Sequence, residues 1–260
     1  MEAAQPSSYL DPGAAPYGNF PNYYSFHPPE TRVSLLPPGL LRKLFQKPLE
    51  TKGNGVSPVL GLDVGCNTGE LSVALYRHLQ QQDSDSSDAP IDVRFLCCDM
   101  DSNLIARAEL SNPFPDFISY MSLDIMDNEA LQGPIHKFLE GLGRSKFDIG
   151  FCMSVTMWIH LHHGDQGLVS FLHRLAGLCD YLLIEPQPWK CYRSAARRLR
   201  KLGRQDFQHF HTLSIRGDMA EKVTHILTSG ANAELIHSFG NTSWDRSLLL
   251  FKIKRGNRQL

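Results

Sequence analysis

Residues Val59 to Leu71 read VLGLDVGCNTGEL, a short apolar run that ends in an acid and then in two glycines bracketing a turn. An apolar run of this length fits a buried strand, and the glycines mark a strand-to-helix turn where backbone approaches a ligand closely. A Rossmann-like first strand meets an adenosine cofactor in this way. A pyrophosphate loop needs G-x-G-x-x-G, and position 63, where its first glycine would fall, holds Asp63. The spacing D-x-G-x-x-x-G therefore suits S-adenosylmethionine better than a dinucleotide. On this reading Gly65 and Gly69 admit the ligand, Asp63 hydrogen-bonds at its rim and Asn67 offers an amide to its amino-acid end. The competing reading is a glycine-rich turn with no ligand.

A second acidic element weighs against that competitor. Val93 to Ala106, VRFLCCDMDSNLIA, is another apolar run, ending in Asp99 and leading into a helical pattern. A carboxylate at the end of a second parallel strand accepts ribose hydroxyls, which assigns Asp99 to the adenosine. Asp101 is expected to cap the following helix instead. A third run, Phe117 to Leu123, ends in Asp124 and Ile125, where methyltransferase-like folds hold the adenine edge. A strand-terminal turn acid explains Asp124 equally well.

The rest of the chain supplies a frame for these strands. Strand four is expected at Phe147 to Ser154, strand five at Tyr181 to Ile184, and a terminal strand pair at Glu234 to Phe239 and Leu248 to Lys254. Helices are expected over Leu35 to Phe45, Asn128 to Leu142 and Gly167 to Cys179, with a polar surface loop at Gln80 to Pro90. The alternation predicts an α/β, Rossmann-like methyltransferase fold: a central, mostly parallel seven-stranded sheet with helices on both faces and the ligand at the strands' carboxyl ends. Residues 1–16 read as a disordered leader, 17–45 as an N-terminal lid segment, 46–255 as the methyltransferase domain and 256–260 as a tail. Within the lid, YGNFPNYYSF carries five aromatics in ten residues, too many for a free tail.

Composition excludes some classes of function. Hydrophobic residues make up 42% and charged residues 20%, with a net charge of -1, and no apolar run approaches the ~20 residues that span a bilayer. The expectation is a cytoplasmic monomer with no membrane partner. Six cysteines, Cys66, Cys97, Cys98, Cys152, Cys179 and Cys191, fall mostly inside predicted strands and helices and read as reduced core thiols. The near-neutral total hides one basic segment, Lys190 to Arg204, KCYRSAARRLRKLGR. As a helix it aligns Arg193, Arg197, Lys201 and Arg204 on one face, suited to nucleic-acid phosphates. It also reads as a solvated helix face with Leu199 and Leu202 packed inward.

Strands four and five continue into MSVTMWIHLHHGD (153–165) and EPQPWKCYR (185–193). The D/N/S-P-P-Y/F motif with which amino-directed methyltransferases hold an extruded base is absent. Five pieces, YGNFPNYY (17–24), LDVGCNTG (62–69), CDMDSNLI (98–105), VTMWIHLHHGDQGL (155–168) and EPQPWKCY (185–192), together resemble the bicoid-interacting type of RNA 5′-phosphate methyltransferases. The resemblance spans Tyr17 to Lys254. It implies S-adenosylmethionine as cofactor and a small RNA as partner. The short chain resembles the branch that methylates a 5′-monophosphate, on pre-microRNA or the transfer RNA for histidine. Alternatives are a γ-phosphate capping methyltransferase and a non-catalytic RNA-binding module on the same fold.

By that resemblance Arg32, Asn67, Asp99, Asp124, Ile125 and Met153 line the cofactor site, with Asp63 and Gly65 from the first strand, and Arg32 pairs with the methionine carboxylate. Tyr17, Asn19, Tyr23 and Tyr24 fold over cofactor and RNA end, so Tyr17, Asn19 and Tyr24 are catalytic candidates together with His160. Trp189 and Tyr192 stack on or border the terminal nucleotide, and Arg193, Arg197 and Lys201 track the RNA. Trp158 and Trp189 also read as ordinary core aromatics. A phosphate monoester has a second pKa of ~6, so its oxygen is already anionic near neutral pH and no general base is obligatory. Cations close in would quench that nucleophile. Neutral donors are therefore expected at the phosphate, with His160 or His162 among them, although His160 also reads as orienting its loop. HLHHG with His209 and His211 raises a metal reading, but no cysteine pair has ligand spacing and no metal is expected.

Overall fold

Every residue of Val59–Val64 (β1) and of Phe147–Met153 (β4) is buried, as are the last four of Cys179–Glu185 (β5). Burial on both faces is the condition under which near-continuous apolar runs form parallel sheet. In the computed structural model, which describes residues 15–45, 58–80 and 91–254, these strands join Val93–Asp99 (β2), Ile118–Ser122 (β3), Ala233–Asn241 (β6) and Ser247–Ile253 (β7) in one seven-stranded sheet. The order is β3-β2-β1-β4-β5-β7-β6, with β7 antiparallel to both of its neighbours. Alternation along each strand feeds two cores: Leu60, Leu62, Leu96 and Cys98 pack on one face, Val59, Val93, Phe95 and Cys97 on the other.

Strand order reverses between β1 and β4, and there the loops leaving the carboxyl ends part to open a crevice. The helices that follow the strands are Glu70–Gln80 (α4), Ser102–Leu110 (α5), Thr156–Leu178 (α8), Trp189–Lys201 (α9) and Met219–Gly230 (α10). Asp101 caps α5 as expected, accepting the Asn103 backbone N–H at 3.0 Å. The chain ahead of the sheet forms three short helices, Tyr23–Phe26 (α1), Pro29–Val33 (α2) and Leu40–Leu44 (α3).

Three boundaries differ from the sequence expectation. The helix expected over Leu35 to Phe45 shrinks to α3, because Pro37 and Pro38 lack the N–H a helix needs and Gly39 sits at φ 67°. The Asn128 to Leu142 helix is broken by a π-helical stretch, Leu131–Ile135, that contains Pro134; its flanks are Asn128–Ala130 (α6) and His136–Gly141 (α7). Thr156–Leu178 is two helical segments that meet at a kink at Gly164, whose φ 68° and ψ -172° are non-helical; the second segment holds the helix expected from Gly167, and the first makes the histidine-rich segment helical and not a loop.

All six cysteines are free and five are buried, which fits core thiols. Among the described residues no helix is long and apolar enough to cross a membrane. The expected loop beyond Gln80, the leader as far as residue 14 and the tail 256–260 lie outside the described residues.

Candidate active site

A cavity of about 360 Å³ fills the crevice, a size in the range of small-molecule sites. Its floor comes from β1 and its turn. Gly65 sits at φ 74°, and a Cβ there would collide with the Val155 side chain; Gly69, at φ 84°, would meet the Tyr120 hydroxyl in the same way. The left-handed backbone and the crowding make both positions glycine-specific. Asp63 is buried in the cavity wall and accepts the Ser72 hydroxyl at 2.6 Å. Burial pushes its carboxyl up to about 6, and the Ser72 bond works against that rise.

Asp99 ends β2 in the same wall. Its two oxygens each accept one backbone N–H, from Asn67 at 2.9 Å and from Asp101 at 3.0 Å. Each oxygen keeps a second lone pair for a ligand. Burial raises this carboxyl too, opposed by the Asp101 and Asn67 N–H bonds. Asp124 and Ile125 follow β3, Met153 ends β4, and Ser154 and Val155 follow it. No lysine or arginine side chain is among the described residues that line the cavity.

The N-terminal segment forms the roof. Asn19 donates to Asp101 at 2.9 Å, Asn67 donates to the Phe20 carbonyl at 3.2 Å, and the Tyr24 hydroxyl donates to the Cys66 carbonyl at 3.1 Å. Burial, with Asp63 nearby, pushes the Tyr24 phenol well up, so it keeps the proton it donates. His162 gives its Nε2–H to the Pro16 carbonyl at 2.8 Å and stacks on Tyr17 with ring centroids 4.3 Å apart. Arg198 of α9 lies over the rings of Phe20, at 4.6 Å, and Trp158, at 5.8 Å.

Behind the roof lies a buried ion cluster. Glu185, fully buried at the end of β5, accepts Arg32 Nε at 3.1 Å and Arg32 Nη2 at 2.9 Å, and its other oxygen accepts the Trp244 indole N–H at 3.0 Å. Arg246 joins from the β6–β7 turn, donating to Ser154 Oγ at 2.5 Å. Two guanidiniums thus share one carboxylate. Burial first, then the two arginines, hold the nearby His27 imidazole down at about 4, so it is neutral.

The sequence profile of the family described as Bicoid-interacting protein 3 matches residues 147–253. The chain is 70% identical over 255 residues to the pre-miRNA 5′-monophosphate methyltransferase of Xenopus laevis, covering 98% of this chain and 99% of that protein. It is 59% identical over 255 residues to the RNA 5′-monophosphate methyltransferase of Homo sapiens, covering 97% and 86%. The chain belongs to the Bicoid-interacting protein 3 family of methyltransferases. Among solved structures, the N-methyltransferase NodS from Bradyrhizobium japonicum in complex with S-adenosyl-l-homocysteine aligns with a TM-score of 0.51 at 16% identity, over 88% of this chain and 89% of that one. At that identity the likeness concerns the fold alone.

In this family member the cavity gathers Tyr17, Asn19, Tyr24, Asp63, Gly65, Asn67, Asp99, Asp124, Ile125 and Met153, all expected from the sequence. Other expectations need correcting. His160 is completely buried and does not line the cavity: Nε2 meets Asp165 at 2.7 Å and Nδ1 meets the Tyr192 hydroxyl at 3.1 Å. Asp165 only accepts, so Nε2 carries the proton, and burial keeps the ring neutral, leaving Nδ1 to accept from Tyr192. His160 therefore ties α8 to α9, and His162 and His163 are the histidines at the cavity. Tyr192, expected beside the nucleotide, is fully buried by that same bond. Trp189 stacks on Tyr192 at 4.7 Å and on Phe210 at 6.1 Å beneath Arg216, so its ring is engaged internally; Trp158 is the tryptophan in the cavity wall.

Arg32, expected to pair with a methionine carboxylate, is buried against Glu185, with only Nη1 unpartnered. The Asn67 amide is likewise engaged by the roof and by the Thr68 backbone N–H at 2.8 Å. Arg193, Arg197 and Lys201 are exposed along α9 as expected, Arg204 is half-buried, and Leu199 packs inward, but Leu202, expected inside, is exposed at the helix end. Sequence reasoning missed Glu185, Arg246, Trp244 and Arg198. Glu185 had a usable signal, since it ends an apolar strand as Asp99 does, whereas Arg246 and Trp244 sit in a turn with no pattern to mark them.

Proposed function

We propose that this enzyme transfers a methyl group from S-adenosylmethionine to the 5′-monophosphate of a small RNA, with a pre-microRNA or the transfer RNA for histidine as substrate. The observation that carries the reading is the charge layout. The described cavity wall has carboxylates and neutral donors but no cation, while Arg193, Arg197 and Lys201 lie outside on α9. The names of the relatives from Xenopus laevis and Homo sapiens support the same substrate.

The residues fit the cofactor. Gly65 lines the cavity with bare backbone, the spare lone pairs of Asp99 suit a ribose diol, and Asp124 with Ile125 would border the adenine. Bound there, S-adenosylmethionine supplies an electrophilic methyl on a sulfonium. The protein's share is to hold the phosphate oxygen in line and to keep water out, and positioning of this kind contributes much of the rate. Roof contacts from Tyr17, Asn19 and Tyr24 close the cavity over the reacting atoms. A wall without cations leaves electron density on the phosphate oxygen that attacks. The same wall offers no counter-charge to a triphosphate.

Two results are expected. Given labelled S-adenosylmethionine and matched short RNAs with 5′-hydroxyl, monophosphate or triphosphate ends, the protein should label the monophosphate, and activity should fall below pH ~6 as that phosphate gains its second proton. Preference for the triphosphate would indicate a capping reaction instead, and cofactor binding without transfer would leave a binding module. Changing Arg197 and Lys201 to Glu should weaken RNA binding and lower the slope of log K against log salt by roughly 1.5. An unchanged slope would reduce the stripe to a solvated helix face.

A further inference from the structure

The loop that follows β3 is braced by one side chain from a distant part of the sequence. Leu123, Asp124 and Ile125 line the cavity from this loop, and Arg174, on the second segment of α8, reaches across to it. Arg174 Nη1 donates to the Ile125 carbonyl at 2.5 Å and to the Asp127 carbonyl at 3.1 Å, while Nη2 donates to Asn128 Oδ1 at 2.6 Å. These acceptors lie 46 to 49 residues away along the chain. Among the described residues no acid pairs with Arg174, so its donors are engaged by carbonyl and amide oxygens. The planar fork of a guanidinium holds several acceptors in one arrangement, which a flexible ammonium does not.

The atoms that this brace leaves open have a pattern. Ile125 is buried, with its side chain in the core, and its N–H finds no acceptor among the described residues. Asp124 is exposed at the cavity and gives Oδ1 to the Met126 N–H at 2.8 Å, which leaves Oδ2 without a donor among the described residues. An acceptor on one residue thus stands next in sequence to a donor on the other. The edge of adenine presents the complement, an N6–H donor beside the N1 acceptor, and hypoxanthine reverses both. A loop free to shift could adapt to either base. One fastened at three points cannot, and a reversed base would leave its polar groups unpaired.

We propose that Arg174 is a specificity-determining positioning residue: by fastening Ile125, Asp127 and Asn128 it makes the cofactor site accept adenine and reject a base with the reversed edge. This rests on the placement of the adenine at Asp124 and Ile125 given above. Arg174 is not among the residues that line the cavity, so it acts through the loop and touches no ligand.

Calorimetry would give the dissociation constants of S-adenosylhomocysteine and S-inosylhomocysteine, which differ only in the base, for wild type, Arg174→Ala and Arg174→Lys. A circular dichroism melt would show that each protein is folded at the temperature used. Wild type should prefer the adenine ligand by at least ~100-fold, since two reversed contacts each leave a polar group unpaired. Arg174→Ala should shrink that preference by about tenfold, and Arg174→Lys, which keeps the charge and loses the fork, by a smaller factor. The lysine variant carries the test if the alanine variant does not fold. A purely structural role weakens both ligands alike or lowers only the melt, and the preference then keeps its wild-type value; that result would overturn the proposal. A wild type that binds both ligands alike would refute the placement of the adenine, and the proposal with it. Transfer to monophosphate RNA is a separate measurement, whose failure in wild type would refute the proposed acceptor while the base preference still reads Arg174.

Discussion

Replacing Glu185 with Leu is expected to destabilise the protein by about 3–5 kcal/mol, read as a lower urea midpoint at unchanged slope. The reason lies in what remains. Arg32 and Arg246 would stay buried with no carboxylate, and the Ser154 hydroxyl and the Trp244 indole N–H would lose their acceptor. Breaking one side of a buried pair costs far more than the pair contributes, because an uncompensated charge is left in low dielectric. Domains are stable by ~5–15 kcal/mol, so the variant would stand near its unfolding threshold. Lys190→Ala is the control. Its bond to Asp245 at 3.0 Å joins side chains 53% and 65% exposed, and a surface pair contributes only ~0–1 kcal/mol. If both variants unfold at the same midpoint, the cluster carries none of the stability assigned to it.

Asp99→Ala should reduce methyl transfer by at least ~100-fold while leaving the folded state and RNA affinity close to wild type. Two hydrogen bonds from a ribose to a charged carboxylate are together worth about 3–6 kcal/mol, which is ~10²–10⁴ in affinity. Stability should move little, because removing the carboxylate loses bonds from the Asn67 and Asp101 N–H groups and at the same time relieves the burial of a charge. Cofactor affinity by calorimetry, RNA affinity by anisotropy and the circular dichroism melt separate the three quantities. Retained methylation would remove Asp99 from the cofactor site. Loss of RNA binding in parallel would point to a collapsed loop rather than a lost ribose contact.

The contrast between Asp99 and Glu185 shows how far the sequence could be read. Both end apolar strands, and both collect hydrogen bonds at the carboxyl edge of the sheet. Asp99 was legible because its partners, Asn67 and the β1 turn, belong to a contiguous motif with fixed spacing. Glu185 was not, since its partners come from positions 32, 154, 244 and 246, which only tertiary packing brings together. The strand positions along the chain follow from local hydrophobic patterns and were read to within about two residues, whereas their order in the sheet was not. His160 and Tyr192 failed for the opposite reason. Both are polar, both lie in segments that carry the motif, and each was consumed by bonding the other. A side chain's chemistry is legible in the sequence, but whether that chemistry faces a ligand or a neighbour depends on helix phase and on how the helices pack.

The roof of the cavity also has an order of assembly. Tyr23 meets Arg246 across 223 residues and Arg32 meets Glu185 across 153, so the part of the molecule that a ribosome releases early is anchored by parts that it releases late. Contacts of such long sequence separation carry the greatest loop-closure cost and form slowly. A nascent chain can build β1, β2 and β4 while its first aromatic residues are still waiting for β5 and β7. A polypeptide cut short before its last strands would keep its glycine turn and the roof bonds to Cys66, Asn67, Asp101 and His162, but would lose the Arg246 contact that locks Tyr23 from behind.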